Sequence, residues 1–139
     1  MQRFSSWAMG LMLGLALLMP AHRASAQGFV IVVNEAGPAS LSKDVVTRVF
    51  LKKSGELTPV DQDKDAKVRS AFSKTILGRP LSAIISYWQQ QIFSGGDSPP
   101  VEKTSDSEVL AFVRNNPKAI GYVAPGTELG TGVRAVTVQ

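Results

Sequence analysis

Two runs of apolar residues without polar alternation, at residues 29–33 and 119–124, constrain the fold of this chain most. A strand with one solvent-facing side alternates polar and apolar residues, whereas a strand covered on both faces does not. Between the two runs, apolar residues recur at helical spacing in several segments. The pattern predicts an α/β fold, with a single compact domain and a mainly parallel sheet flanked by helices. Residues 29–33 are expected to form a central parallel strand.

Four helices and four strands are predicted. The first helix is capped by Ser42, and we expect Lys52 and Lys53 in its last turn and Gly55 as the residue that stops it. The second has Val68, Phe72 and Ile76 on its buried face and is expected to end at Gly78. Pro80 opens the third. A capping box at residues 105–108 starts the fourth. Short strands at 57–60 and 133–138 complete the count.

The first 26 residues have the parts of a cleaved export signal. Arg3 precedes an apolar stretch at residues 7–19, Pro20 ends it, and Ala24 and Ala26 provide small residues for a signal peptidase. A membrane-spanning helix needs about 20 apolar residues, and this stretch is shorter. We expect cleavage after Ala26, a mature protein that is free in the periplasm or secreted, and one α/β domain at residues 27–139.

Composition excludes several chemistries. The chain has 15 Lys and Arg against 11 Asp and Glu, no Cys, and one His, which is His22 within the expected signal. Removal of the signal would lower the formal charge from +4 to +2, and the remaining basic residues are scattered, so no nucleic-acid partner is expected. Zinc sites of the Cys/His kind, His-dependent nucleophiles and disulfides lack their side chains. Binding remains, as does catalysis by carboxylates, Lys, Tyr or backbone dipoles. We expect no cofactor and a non-enzymatic role.

Three aspartates, Asp61, Asp63 and Asp65, resemble the start of a calcium-binding loop. The sixth loop position is Ala66 instead of Gly, and the twelfth is Phe72 instead of Glu. The acids are better explained as favourable charges at a helix N-terminus, so no metal is predicted. A carboxylate enzyme is the least favoured function, because a polar, solvated stretch gives no reason for the raised pKa of a general acid.

Two loops are candidate ligand sites. Ser40 and Ser42 lie between a strand and a helix N-terminus, where α/β proteins bind anions through free amides. Ser94, Gly95 and Gly96 would let backbone amides approach a ligand closely. Each loop also has a purely structural explanation, namely N-terminal capping for the first and a helix stop for the second.

Three aromatic residues are further candidates for ligand contact. Trp88 belongs to the apolar stripe of the third helix and is expected in the core. Tyr87 and Tyr122 remain as polar aromatic contacts.

The order of several short motifs resembles the phosphate-binding components of ABC transporters. The motifs are Leu41-Ser42, Val49-Phe50-Leu51, Pro59-Val60-Asp61, Val68 to Phe72, Leu77-Gly78, Tyr87-Trp88, Ile92-Phe93-Ser94-Gly95, Pro99-Pro100 and Ala119-Ile120-Gly121-Tyr122-Val123. The last motif, which follows an Asn-Pro pair, is the strongest. The resemblance covers nearly all of residues 27–139.

This resemblance implies a type II periplasmic binding protein in a single-lobe short form, related to a stretch dominated by the second of two lobes. The family commonly holds phosphate with a Ser-Gly-Thr run at a helix start. In this chain residues 63–67 take that place, and two carboxylates replace the donors. No residue of that motif is therefore carried over as a ligand.

The leading hypothesis is an exported, non-enzymatic domain that binds phosphate or another small anion, or assists such a transport system. Arg69 is the expected charge partner of the anion, beside the two candidate loops. The alternative is a periplasmic protein-interaction module, or a homodimer, that kept the fold and lost the ligand. A membrane transporter and a periplasmic protein are the partners that these hypotheses imply.

Overall fold

The computed structural model describes residues 27–139, so the expected export signal lies outside the described residues. Their helices are α1 Lys43–Phe50, α2 Lys67–Phe72, α3 Leu81–Phe93 and α4 Asp106–Asn115, and a π-helical segment, Ser73–Leu77, continues α2. The strands are β1 Val30–Asn34, β2 Ser40–Leu41, β3 Thr58–Gln62, β4 Val101–Lys103, β5 Ala119–Val123, β6 Val133–Ala135 and β7 Thr137–Val138. No helix within residues 27–139 has the length and apolar character needed to cross a membrane.

A five-stranded sheet in the order β4-β3-β5-β1-β6 forms the centre, and β2 and β7 pair in parallel beside it. Strand β3 is parallel to both β4 and β5. Strand β6 also runs in this direction, because β1 lies antiparallel between β5 and β6, so four of the five strands point the same way. The predicted single α/β domain with a mainly parallel sheet flanked by helices is confirmed. The prediction that residues 29–33 form a parallel strand is wrong, because β1 is antiparallel to β5 and to β6.

Helices cover both faces of the sheet. On one face, α1, α2 and the π-helical segment enclose a core that contains Phe29, Phe50, Phe72 and Tyr122. On the other face, Val109, Leu110 and Val113 of α4 pack on alternate strand residues. Strand β1 reads as continuously apolar because both of its faces are buried in this way.

The first helix ends earlier than the sequence predicts. Its C-cap is Leu51, and Lys52 then adopts a left-handed backbone with φ of 58°. The Lys52 amide donates to the Val49 carbonyl and the Lys53 amide to the Arg48 carbonyl, which is the hydrogen-bond pattern of a Schellman motif. A lysine here occupies the position that glycine normally fills, so Gly55 is not the residue that ends the helix.

Helix α3 lies at the periphery, next to the π-helical segment. Ile84 and Trp88 form its buried face, as expected for Trp88. Ile92 and Phe93, in its last turn, are exposed.

Candidate functional site

The candidate site lies where the parallel strands β4, β3 and β5 end. The register aligns Gln62 with Lys103, so these strands finish at one edge of the sheet. In open α/β sheets, ligands bind outside the carboxyl ends of the strands. Polar side chains that are buried at this edge are therefore the first candidates for function.

Three residues at this edge form one row across the sheet. Asp61 pairs with Glu102 of β4, and continuation of the β3–β5 register places Tyr122 on its other side. The Tyr122 hydroxyl donates a 2.6 Å hydrogen bond to Asp61 Oδ1. The same hydroxyl accepts from the Gln62 backbone amide at 3.1 Å. The row thus presents two carboxylates and a phenol to the helix above it.

Arg69 of α2 supplies the positive charge for this row. Its Nη1 donates to Glu102 Oε1 at 2.6 Å and to the Gln62 carbonyl at 3.0 Å. Its Nη2 lies 3.8 Å from Asp61 Oδ2. Arg69 is only 4% exposed, so the guanidinium is fixed between strand residues and cannot reorient in solvent.

A second set of contacts joins the ends of β3 and β5 to the start of α4. The Gln62 side-chain amide donates to Asp106 Oδ1 at 2.6 Å and to the Tyr122 carbonyl at 3.0 Å. Asp106 Oδ1 also accepts from the Ala124 amide at 3.2 Å. These bonds connect the row to the loop after β5, and every buried side-chain donor and acceptor within residues 27–139 has a partner.

Burial is the largest single influence on the pKa values of Asp61, Tyr122 and Arg69. It raises the pKa of the Asp61 carboxyl, although Arg69 and the Tyr122 hydroxyl oppose this shift. Burial and the neighbouring Asp61 carboxylate raise the pKa of Tyr122, so its hydroxyl stays protonated and serves as a donor. Burial alone would lower the pKa of Arg69, but Asp61 and Glu102 outweigh it and the pKa is raised. Arg69 is a permanent cation.

The N-terminus of α4 at this edge is closed by its own side chains. Ser105 Oγ accepts from the Glu108 amide at 3.2 Å, and Glu108 Oε2 accepts from the Thr104 amide at 2.8 Å. The predicted capping box is therefore present, with Glu108 reaching one residue further back than Ser105. Hydrogen bonds from the Thr104 hydroxyl and amide lower the pKa of Glu108.

Arg69 is the one residue of the predicted anion site that lies in this row, and Tyr122, predicted as a polar aromatic contact, lies beside it. Ser40 forms part of β2 and pairs with Thr137. Ser42 is the N-cap of α1 and accepts from the Val45 amide at 3.2 Å, while the Lys43 amide donates to the Gln139 carbonyl. The anion site at Ser40 and Ser42 stays a prediction, and two amides of the α1 N-terminus already have partners within the chain.

The second predicted loop follows α3. Ser94 is the C-cap and its hydroxyl donates to the Gln91 carbonyl at 3.3 Å. The Gly95 amide donates to the Ile92 carbonyl at 3.3 Å and the Gly96 amide to the Gln91 carbonyl at 2.7 Å. In this conformation the two amides hydrogen-bond to carbonyls in the last turn of α3, as the helix-stop explanation expects. Ligand binding by Ser94, Gly95 and Gly96 stays a prediction.

The three aspartates of the calcium-like segment occupy different environments. The expectation of a solvated stretch is wrong for Asp61, because the register of β3 buries it in the row and burial raises its pKa. Asp63 Oδ1 accepts from the Asp65 amide at 2.9 Å in the turn before α2. Within residues 27–139, no three side chains of metal-binding type come together.

Sequence reasoning missed Glu102 and Gln62 as members of the site. The one available signal was Asp61, an acidic residue inside the otherwise strand-like run that becomes β3. Tyr122 was predicted as a polar aromatic contact, and its hydroxyl does join the row. Glu102 had no signal of its own, because its role depends on the pairing of β4 with β3.

Comparison with known proteins gives a structural likeness only. No family model matches the sequence, and no curated protein matches it. Among solved structures, an ABC-type phosphate transport receptor from Vibrio cholerae superposes with a TM-score of 0.57 at 19% identity, over 80% of this chain and 46% of that one. PstS from Borrelia burgdorferi gives 0.61 at 11% identity, over 81% and 47%.

A third similar structure holds a ligand. It is assigned to the phosphate ABC transporter substrate-binding proteins, comes from Clostridium perfringens and contains bound phosphate. Its TM-score is 0.60 at 16% identity, over 80% of this chain and 44% of that one. The chain thus spans less than half the length of the structures that it matches. The expected resemblance is confirmed at the level of fold: residues 27–139 have the fold of part of a phosphate transport receptor.

Proposed function

We propose that this protein is an exported, non-enzymatic binding domain that takes up phosphate or another small anion at the carboxyl edge of its sheet. One observation carries the proposal: Arg69, a buried permanent cation, lies where β3, β4 and β5 end. An arginine matches the oxygen pairs of phosphate and carboxylate through its planar fork of donors. The likeness to phosphate transport receptors supports the same class of ligand.

The test is isothermal titration of the purified protein with inorganic phosphate, beside sulfate and chloride at matched ionic strength. The proposal predicts a saturable signal that is lost in Arg69→Gln and weakened in Arg69→Lys, which keeps the charge but not the fork. Arg134→Gln, at an exposed position of β6, is the matched control and should bind like the unmodified protein. Circular dichroism must show that each variant is folded. A flat trace for the folded, unmodified protein would refute the proposal.

The same phosphate titration tests the two predicted loops. If Ser42 or Ser94 contacts the anion, Ser42→Ala or Ser94→Ala will weaken binding more than it lowers the free energy of unfolding. Unchanged affinity would assign both serines to helix ends, where their side chains hydrogen-bond to the backbone.

Export is tested by cell fractionation and by N-terminal sequencing of the mature protein, which should begin at Gln27.

A protein-interaction module is the second candidate, because Phe93 is 97% exposed and Ile92 60% exposed at the end of α3. Adjacent exposed apolar side chains are typical of contact surfaces. If this surface joins two copies, light scattering after size-exclusion chromatography will give a dimer for the unmodified protein and a monomer for Phe93→Ser. A monomer for both would exclude the homodimer.

A further inference from the structure

The two carboxylates that contact Arg69 differ in their access to solvent. The Asp61 side chain is 9% exposed, whereas the Glu102 side chain is 50% exposed. Glu102 also makes the shorter contact, 2.6 Å to Nη1 against 3.8 Å from Asp61 to Nη2. Glu102 is therefore the group between the guanidinium and solvent, and it is the only one of the two that can move away without opening the core.

The position of Glu102 allows such a movement. It is the middle residue of β4, which has three residues and is the outermost strand of the sheet, paired only with β3. Arg69 would stay in place, since Nη1 also donates to the Gln62 carbonyl and Nη2 still faces Asp61. Departure of Glu102 would free the Nη1 donor that its Oε1 now occupies, on the side of the guanidinium where Glu102 meets solvent.

A carboxylate and a phosphate use the same donors of an arginine fork. We propose that Glu102 occupies the anion position of Arg69, so that a free anion binds only by displacing this side chain. The inference rests on the proposed function and adds its regulation: the domain carries a built-in competitor for its own ligand. Two carboxylates against one guanidinium also make the closed site repulsive to an incoming anion.

The experiment compares phosphate titrations of the unmodified protein and of Glu102→Gln, which keeps the shape of the side chain and removes its charge. The inference predicts a dissociation constant lower by about tenfold or more in Glu102→Gln, which corresponds to about 1.4 kcal/mol. Glu102→Asp retains a carboxylate and should not gain affinity to that extent. Glu128→Gln, an exposed acid with the same change in net charge, is the control and should bind like the unmodified protein.

The outcomes separate the two proposals. Equal affinity of the unmodified protein and Glu102→Gln, with loss of binding in Arg69→Gln, would overturn the competitor role and leave the proposed function intact. An equal gain in Glu128→Gln would also overturn it, because the effect would then be one of net charge. No binding by any folded variant would refute the proposed function, and the inference with it.

Discussion

Removal of a single hydroxyl, in Tyr122→Phe, tests whether the buried row holds this edge of the sheet together. The ring would remain where it is, stacked on Phe72 with centroids 4.1 Å apart, so little packing is lost. The substitution removes the donor to Asp61 Oδ1 and the acceptor of the Gln62 amide. Both groups would stay buried without these partners.

The size of the effect follows from these two bonds. A hydrogen bond to a charged group contributes about 1.5–3 kcal/mol, and a buried donor without a partner costs about 1–3 kcal/mol. Since the surroundings relax in part, we expect a loss of about 2–4 kcal/mol in the free energy of unfolding. With a urea dependence of about 2 kcal/mol per molar, the middle of the usual range, the unfolding midpoint should fall by about 1–2 M.

The assay is urea unfolding followed by circular dichroism. Tyr87→Phe is the matched control, because Tyr87 is only partly buried and its contact with Trp88 is between rings; its free energy should change by less than about 0.5 kcal/mol. In an Asp61→Asn background, Tyr122→Phe should cost less, because the charged acceptor is already gone. A cost of Tyr122→Phe no larger than that of Tyr87→Phe would refute the reasoning.

Three further predictions concern single residues. Gly121→Ala should lower the free energy of unfolding by about 1–3 kcal/mol, because a Cβ would lie 2.7 Å from Val60 Cγ1 and 2.8 Å from Val109 Cγ1. Gly55→Ala is the control and should change this free energy little, since the space around Gly55 is open. Lys52→Gly should raise it by about 1 kcal/mol by relieving the left-handed backbone, and Lys53→Gly should not; an equal effect of both in urea unfolding would contradict the Schellman assignment. Burial raises the folded-state pKa of Asp61 above 3.8, so the folded protein binds the proton of this carboxyl more tightly than the unfolded chain does. The free energy of unfolding of the unmodified protein, relative to that of Asp61→Asn, should therefore fall as pH rises above 3.8. A relative stability that rises with pH would contradict that direction.

Local patterns were sufficient for much of the fold. Apolar runs located β1 and β5, the Ser105–Glu108 box located the start of α4, and the apolar stripe placed Trp88 in the core. Each of these features depends on neighbours a few residues apart, which the sequence displays directly.

The direction of β1 could not be predicted in the same way. A continuous apolar run indicates burial on both faces, and an antiparallel strand between covered neighbours satisfies that condition as well as a parallel one. The early end of α1 was missed because lysine at the left-handed position is uncommon and Gly55 offered the usual signal.

The candidate site was predictable only in part. Arg69 was predicted as the charge partner of an anion, which stays a prediction. Its contacts with Asp61 and Glu102 were not predicted, because these two carboxylates meet only where β3 and β4 pair. Asp61 looked like one of three acids before a helix, but the register of β3 buries it beside Tyr122. Glu102 reaches Arg69 only because β4 pairs with β3, a contact that no local pattern indicates.

The most direct test of the central claim is a phosphate titration followed by NMR of the arginine side-chain Nε–H groups. We expect a saturable shift of the Arg69 resonance at phosphate concentrations that leave the exposed Arg134 unchanged, and a shift at lower concentrations in Glu102→Gln. Resonances of Arg69 that stay fixed while the protein binds phosphate would place the anion elsewhere and contradict the account.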